Sequence, residues 1–331
     1  MTTMRRVVFA LVLGLLYAMP PASASEPTKL RVIVFAGVSN LPIFAGLAKG
    51  IFSRHGLDIE LQFTPGSPAM REGIAKGTFQ IAHSGVDNSV ALADTGAGSI
   101  IVMGGDSSMQ ELFAQPEIKS IADLKGRTII VDAPNTAYAL VVKKTLANVG
   151  LREGQDYALK PAGGTSQRLG LMKETKENAA TMLFPPFSIT AAREGFTSLG
   201  MAVKLVGPYQ GTGCWVLRSW AEANAATLER YIAAYIDSLR WVLNPANRAE
   251  AVALLAERLK VPADVAEVTY DRAADPVNGL APDARFDLDG FRNVLALRAE
   301  MQGAWGGKAP QPDRYVDLSH YQRALAALGS R

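Results

Sequence analysis

The sequence predicts an α/β protein whose parallel sheets carry helices on their faces and a binding cleft along one strand edge. Three observations predict this. One unit, a short apolar run followed by a small-residue turn and a helical segment, occurs three times between Leu30 and Gly105. The same unit returns between Arg127 and Pro186, and the chain after Leu217 reads as helices alone. Strands that alternate with helices through short connections pair in parallel, because parallel neighbours need a crossover where antiparallel ones need only a hairpin. The strand-to-helix turns then share the carboxyl edge of the sheet, where open α/β sheets bind ligands and helices present unpaired N–H groups.

The chain opens on Arg5-Arg6, an apolar run from Val7 to Met19, and Pro20-Pro21-Ala22-Ser23-Ala24, a helix breaker followed by small residues. This is the pattern of a secretory leader, with about 13 apolar residues where a membrane span needs roughly 20. Cleavage is expected after Ala24. With no cysteine at that junction no lipid anchor is expected, and the mature chain is placed in a periplasm or outside the cell.

In the first repeat Leu30 to Ala36 is a strand and Gly37-Val38-Ser39-Asn40 a turn. Pro42 opens a helix that Gly50 ends, since proline fixes φ and lacks only an N–H that the first helical turn leaves unpaired. Asp58 to Phe63 alternates as a strand, after which Ser67 caps and Pro68 starts a helix ending near Gly77. Phe79 to Ala82 is the third strand, broken at His83-Ser84-Gly85 before a helix from Val86 to Ala93. Ile100 to Met103 is strand-like, and periodicity is then lost until Ile118, which marks the crossing into a second lobe.

Arg127 to Val131 is a β-branched, buried strand. Asp132-Ala133-Pro134-Asn135-Thr136 follows it, then a helix with Ala139, Leu140, Val142 and Leu146 at helical spacing, ended by Gly150. Tyr157 to Lys160 leads through Gly163-Gly164-Thr165-Ser166 to a helix from Gln167 to Glu174, and Ala179 to Phe184 ends at Pro185-Pro186. Val203 to Val206 and the turn up to Gly213 read as the return crossing, into extended Cys214 to Leu217. From Ala221 to Leu243 a stripe containing Leu228, Tyr231, Tyr235 and Leu239 predicts a long helix that packs on a core. Further helices are expected over 248–259, 263–272, 287–301 and 318–328, a tail that most simply packs back on the first lobe.

The 34 basic residues stand against 31 acidic ones, and two of the basic residues lie in the leader. So even a balance offers no electrostatic footprint for nucleic acid or a membrane surface. Cys214 is the only cysteine, so no disulfide can form within the chain.

His83, Ser84 and Asp87 carry the residue types of a hydrolase triad, but the sequence there is Ala82-His83-Ser84-Gly85-Val86 and not the Gly-x-Ser-x-Gly of a nucleophile elbow. No catalytic residue is assigned, and hydrogen bonding to a ligand is the preferred role. His55, His83 and His320 are widely spread and no Cys-x-x-Cys exists, so neither a metal nor a cofactor is expected. Gly104-Gly105 and Gly163-Gly164 lack the residues of a P-loop or a dinucleotide fold and are turns. Among the turns Asp87 and Asp132 suit an amine or an amino-heterocycle, or else only start helices, while Arg168 is the one cation close by. Phe44, Phe184, Phe187, Tyr209 and Trp215 are candidates for an aromatic wall.

One stretch, Pro42-Ile43-Phe44-Ala45-Gly46-Leu47-Ala48-Lys49-Gly50-Ile51-Phe52 continuing to Gly56-Leu57-Asp58, ends a helix in a phrase shared by a known family. With Gly66-Ser67, Gly77-Thr78-Phe79 and Ala122-Asp123-Leu124-Lys125-Gly126-Arg127 it resembles the solute-binding proteins of ABC importers for nitrate, sulfonate or taurine, and thiamine-type pyrimidines. The resemblance implies a type II periplasmic binding protein, in which two α/β lobes joined by a two-stranded hinge close on a ligand. It divides the chain into a leader (1–24), a first lobe (25–117), a second lobe (118–207) and a helical return to the first lobe (208–331). Carried over by position, it places Ser39, Asn40, Leu41, Gly66, Ser67, His83, Ser84, Asp87, Asn135 and Thr136 in the cleft. Asp132, Phe184 and Trp215 join these from the reading of the turns and aromatics.

The chain departs from the family pattern between Gly170 and Thr181, where Lys173-Glu174-Thr175-Lys176-Glu177-Asn178 stands. The resemblance implies a monomeric receptor that hands a small polar organic solute to an inner-membrane ABC permease. Two alternatives stay open at this point: an enzyme of small-heterocycle metabolism on the same scaffold, and a ligand-sensing module for a membrane receptor.

Overall fold

A computed structural model describes residues 26–329. The leader and its cleavage after Ala24 lie outside the described residues. The chain first lays down β1 (Thr28–Val34), α1 (Leu41–Ala48), α2 (Ile51–Arg54), β2 (Leu57–Phe63), α3 (Ser67–Ala75), β3 (Ile81–Gly85), α4 (Asp87–Leu92) and β4 (Ser99–Gly104). Pro42 and Pro68 sit in the first turns of α1 and α3, as their missing N–H groups allow. Gly50, at φ 64°, supplies the left-handed residue between α1 and α2. β1 pairs in parallel with β2 from Thr28↔Leu57 to Val34↔Phe63, and with β3 at Val32↔Ile81.

The second group comprises β5 (Glu111–Ala114), β6 (Arg127–Val131), α5 (Ala137–Ala147), β7 (Tyr157–Pro161), α6 (Thr165–Glu174), β8 (Asn178–Leu183), α7 (Phe187–Arg193), β9 (Thr197–Met201) and α8 (Ala202–Leu205). The chain then returns through β10 (Thr212–Leu217) into α9 (Arg218–Ala223), α10 (Ala225–Leu243), α11 (Arg248–Leu259), α12 (Ala263–Ala273), α13 (Leu288–Gln302) and α14 (Ser319–Gly329). Two five-stranded sheets result, ordered β2-β1-β3-β10-β4 and β7-β6-β8-β5-β9. None of the helices described is long and apolar enough to cross a membrane.

Neither sheet is purely parallel. β10 runs antiparallel to β3 and β4, and β5 antiparallel to β8 and β9. Chain direction explains this. β4 ends at the carboxyl edge of its sheet, so a strand that crosses straight over enters the facing sheet at its carboxyl edge and runs against its neighbours. β9 and β10 repeat the move in reverse. The second sheet therefore begins at Glu111, ahead of the crossing read at Ile118. Four further expectations are corrected. His83-Ser84-Gly85 ends β3 and is no turn, α7 and β9 follow the Pro185-Pro186 stop, Val203 to Val206 lies largely in helix α8, and Ala221 to Leu243 is divided at Asn224 between α9 and α10.

The crossing segments touch at Gly211, whose N–H donates to the Asp106 carbonyl at 2.9 Å. Only glycine fits there: a Cβ would stand 2.3 Å from Asp106 Oδ1 and 2.5 Å from the Ser108 nitrogen. The helical tail does not pack on the first lobe alone. α10 and α11 lie on α1, but α13 packs on α5 and α12 on α7, so the tail straps both lobes. One apolar cluster accordingly joins Val90 and Trp215 to Val141 and Leu146 through Phe291, Val294 and Leu295 of α13.

Candidate functional site

Between the two sheet edges lies a cleft of about 850 Å³, measured out to its open mouth. The first lobe contributes Ser39 and Asn40 from the turn after β1, Ser67 from the start of α3, and His83 and Ser84 from the end of β3. Facing them are Asp132 and Thr136 after β6, Thr165 and Arg168 on α6, Thr181 on β8, and Phe184. Gln110 and Thr212 approach from the crossing segments.

The His83 ring stacks on Tyr235 at 4.9 Å, and its Nε2 is 2.8 Å from the Tyr231 hydroxyl. Burial pushes its pKa down to about 3, so it stands as a neutral wall at physiological pH. Ser84 Oγ accepts from the Trp215 indole N–H at 2.9 Å, which puts Trp215, fully buried, one layer behind the cleft. Asp87 turns away: its two oxygens receive the Arg298 Nε and Nη2, each at 2.7 Å, in a buried fork. His83, Ser84 and Asp87 thus bond to three different partners and form no relay.

Asp132 reaches across to the other lobe. Both its oxygens lie 3.3 Å from the Ser67 N–H, in the first turn of α3. Beside it Gly164 N–H donates to the Pro65 carbonyl at 3.1 Å, and Val38 N–H to Pro185 at 3.1 Å, so the lobes stand closed on one another. Arg168 spends its guanidinium on its own lobe: Nε donates to Thr181 Oγ1 at 2.9 Å and Nη2 to the Met182 carbonyl at 2.9 Å. Burial lowers its pKa to about 10, opposed by the Asp132 charge, and it stays a cation at neutral pH. Asp106 lies behind Ser39 and is met by the Ser39 and Thr212 hydroxyls and the Ser108 N–H. Gln110, 7% exposed, carries an Oε1 with no hydrogen-bond partner among the described residues.

A sequence profile of the NMT1-like family matches residues 23–256. The chain belongs to the NMT1-like family. This NMT1-like chain is 25% identical, over 149 residues, to a protein of Brucella abortus (strain 2308) whose name proposes a binding role. That match covers 45% of this chain and 46% of the relative, so it spans about half the length of the curated protein. Its fold is similar to that of the periplasmic nitrate-binding protein NrtA of Synechocystis PCC 6803, with TM-score 0.77 and 14% identity over 92% of this chain and 90% of that one. It is also similar to the alkanesulfonate-binding protein SsuA of Xanthomonas axonopodis pv. citri bound to MOPS, with TM-score 0.68 and 18% identity over 87% and 96%. The likeness is one of fold, and the fold shared is the two-sheet α/β architecture described above.

In the NMT1-like chain Ser39, Asn40, Ser67, His83, Ser84, Asp132, Thr136 and Phe184 line the cleft, whereas Leu41, Gly66, Asp87, Asn135 and Trp215 do not. Leu41 is buried in the first core, and Asn135 offers only its carbonyl, to Arg298 at 3.4 Å. Gly66 supports the α3 start, where a Cβ would come within 3.0 Å of Asp132 Oδ1. Of the other aromatic candidates Phe44 and Tyr209 are buried away from the cleft, and Phe187, the first residue of α7, packs against the small cluster of Phe113, Leu169 and Leu183. The lining residues not anticipated include Gln110, Tyr138, Thr165 and Thr181. Tyr138 faces the cleft from the first turn of α5, where only the position of the helix start could have flagged it. Thr181 lies at the end of the stretch that departs from the family pattern, which therefore still contributes to the wall.

Proposed function

We propose that the protein is the solute-binding component of an ABC importer. It captures a small polar organic solute of sulfonate, carboxylate or aminopyrimidine type in the cleft and delivers it to a membrane permease. The observation that carries this reading is a single cleft whose two walls come from different lobes, connected by paired crossing segments that can flex as a hinge. A ligand touching both walls favours closure by its differential affinity for the closed state. The proposal includes a leader cleaved after Ala24, a periplasmic location without a lipid anchor, a monomer, and no catalytic residue. It is supported by the separate hydrogen-bond partners of His83, Ser84 and Asp87 and by the names of the similar proteins. Native mass spectrometry of the purified protein, followed by denaturation, is expected to release one stoichiometric organic solute. X-ray scattering after removal and re-addition of that solute is expected to show compaction; a profile unchanged by any solute overturns the receptor reading.

A further inference from the structure

Helix α3 spans nine residues, and its amino end opens into the cleft at Ser67. Such an end is a ready anion site, with free N–H groups and the positive pole of the helix dipole directed at the ligand. Here the chain brings its own anion. Asp132 arrives from the opposite lobe and sets both oxygens 3.3 Å from the Ser67 N–H, over a Gly66 that has no side chain to interfere. Asp132 also lies near enough to the Arg71 and Arg168 guanidiniums to stabilise both charges. Part of the positive charge around the α3 end is therefore offset before any solute enters.

Gln110 points independently to what the solute must offer. Its side chain is more than nine-tenths buried, it lines the same cleft, and its Oε1 lacks a donor among the described residues. A buried acceptor left unpaired is costly; Oε1 is enclosed by protein, so a solute N–H or O–H pairs with it only once the Gln110 side chain turns toward the cleft, a hydrogen bond that an all-acceptor solute cannot supply. Phe184 and Tyr138 add apolar and aromatic surface.

We propose that Asp132 is the specificity residue of this cleft, an internal anion that holds the amino end of α3 and excludes sulfonates, nitrate and other anions, restricting the site to uncharged or cationic solutes that donate hydrogen bonds. This rests on the receptor reading above and narrows it. An anion that docks on α3 in the open state meets Asp132 as the lobes close. Two like charges about 4 Å apart at a partly screened site repel strongly enough to weaken binding by about 100-fold or more.

The test is calorimetric titration of the full mature protein and of Asp132→Ala with methanesulfonate, with nitrate as a second probe. The wild type is expected to show no saturable binding, and Asp132→Ala to bind methanesulfonate at least about 100-fold more tightly, because the α3 end is vacated and the Asp132 charge no longer opposes an anion beside Arg168. Wild-type binding and compaction with methanesulfonate would overturn the assignment while leaving the receptor reading intact. A folded Asp132→Ala protein that gains no anion binding overturns it as well. Should Asp132→Ala not fold, Asp132→Asn keeps the side-chain shape and removes the charge: a gain of about tenfold supports the proposal, and none overturns it. Since this gain of anion binding does not depend on the native solute, a protein that releases no solute and compacts with none overturns the receptor reading alone.

Discussion

Arg298 and Asp87 are 211 residues apart and share the most buried ion pair described. Removing one member leaves the other charged and desolvated, so Arg298→Ala is expected to lower stability by about 3–5 kcal/mol, read as a drop in urea midpoint. His83 makes a second prediction. Its folded pKa of about 3 lies below the ordinary histidine value of 6.5, so above that value both folded and unfolded states are neutral and the group is silent. As pH falls from 6.5 toward 3 the unfolded chain takes up a proton that the folded chain refuses, and stability declines by up to about 1.4 kcal/mol per unit. Urea midpoints measured across that range are expected to fall less steeply for His83→Gln than for wild type. At this scale sequence reading placed Ser39, Ser67 and Asp132 in the turns and helix starts that follow strands, and these residues line the cleft. It missed their partners, because nothing in Asp87-Asn88-Ser89 announces an arginine on the last long helix but one.

Long periodic elements were legible from sequence, and short ones were not. The strand Arg127–Val131 and the helix Arg248–Leu259 stand where their residues place them, since β-branched runs and helical stripes persist over enough positions to be distinguished. Glu111–Ala114 has four residues and no alternation, and Val203–Val206, apolar but for Lys204, has a length that fits strand or helix. Tertiary pairing alone makes one a strand and the other a helix. The crossing segments depend on a glycine in the same way. At Gly211 the space for a Cβ is taken by Asp106 and Ser108, so Gly211→Ala is expected to cost about 1–3 kcal/mol through displaced backbone, measured as a lower Tm. Gly195→Ala makes a contrasting control: nothing lies within 4 Å of a Cβ there, although its φ of +86° keeps a smaller conformational cost.

For the whole molecule, the two-lobed arrangement was legible because the strand–turn–helix unit repeats on both sides of a break in periodicity. The antiparallel strand in each sheet was not, since it follows from which edge the chain enters and no local residue encodes that. The strap made by the tail was equally hidden, and it bears on closure. Lys144 of α5 and Glu300 of α13 pair at 2.6 Å across the outer face, half-exposed to water. An exposed pair of this kind contributes less than about 1 kcal/mol, so Lys144→Ala is expected to leave the Tm nearly unchanged. If that small energy acts on the closed state alone, apparent solute affinity falls by up to about fivefold, which titration with the released solute would measure.

The two antiparallel strands have one more consequence, for the order in which the chain can become complete. All five strands of the second sheet come from one uninterrupted stretch, Glu111 to Met201. The first sheet must wait for β10, which inserts between β3 and β4 only after the whole second sheet has been synthesised. The lobe made first is therefore finished last. Until Leu217 emerges, β3 and β4 are two separate edges with a strand-wide gap between them, a gap that only β10 of the same chain is shaped to fill.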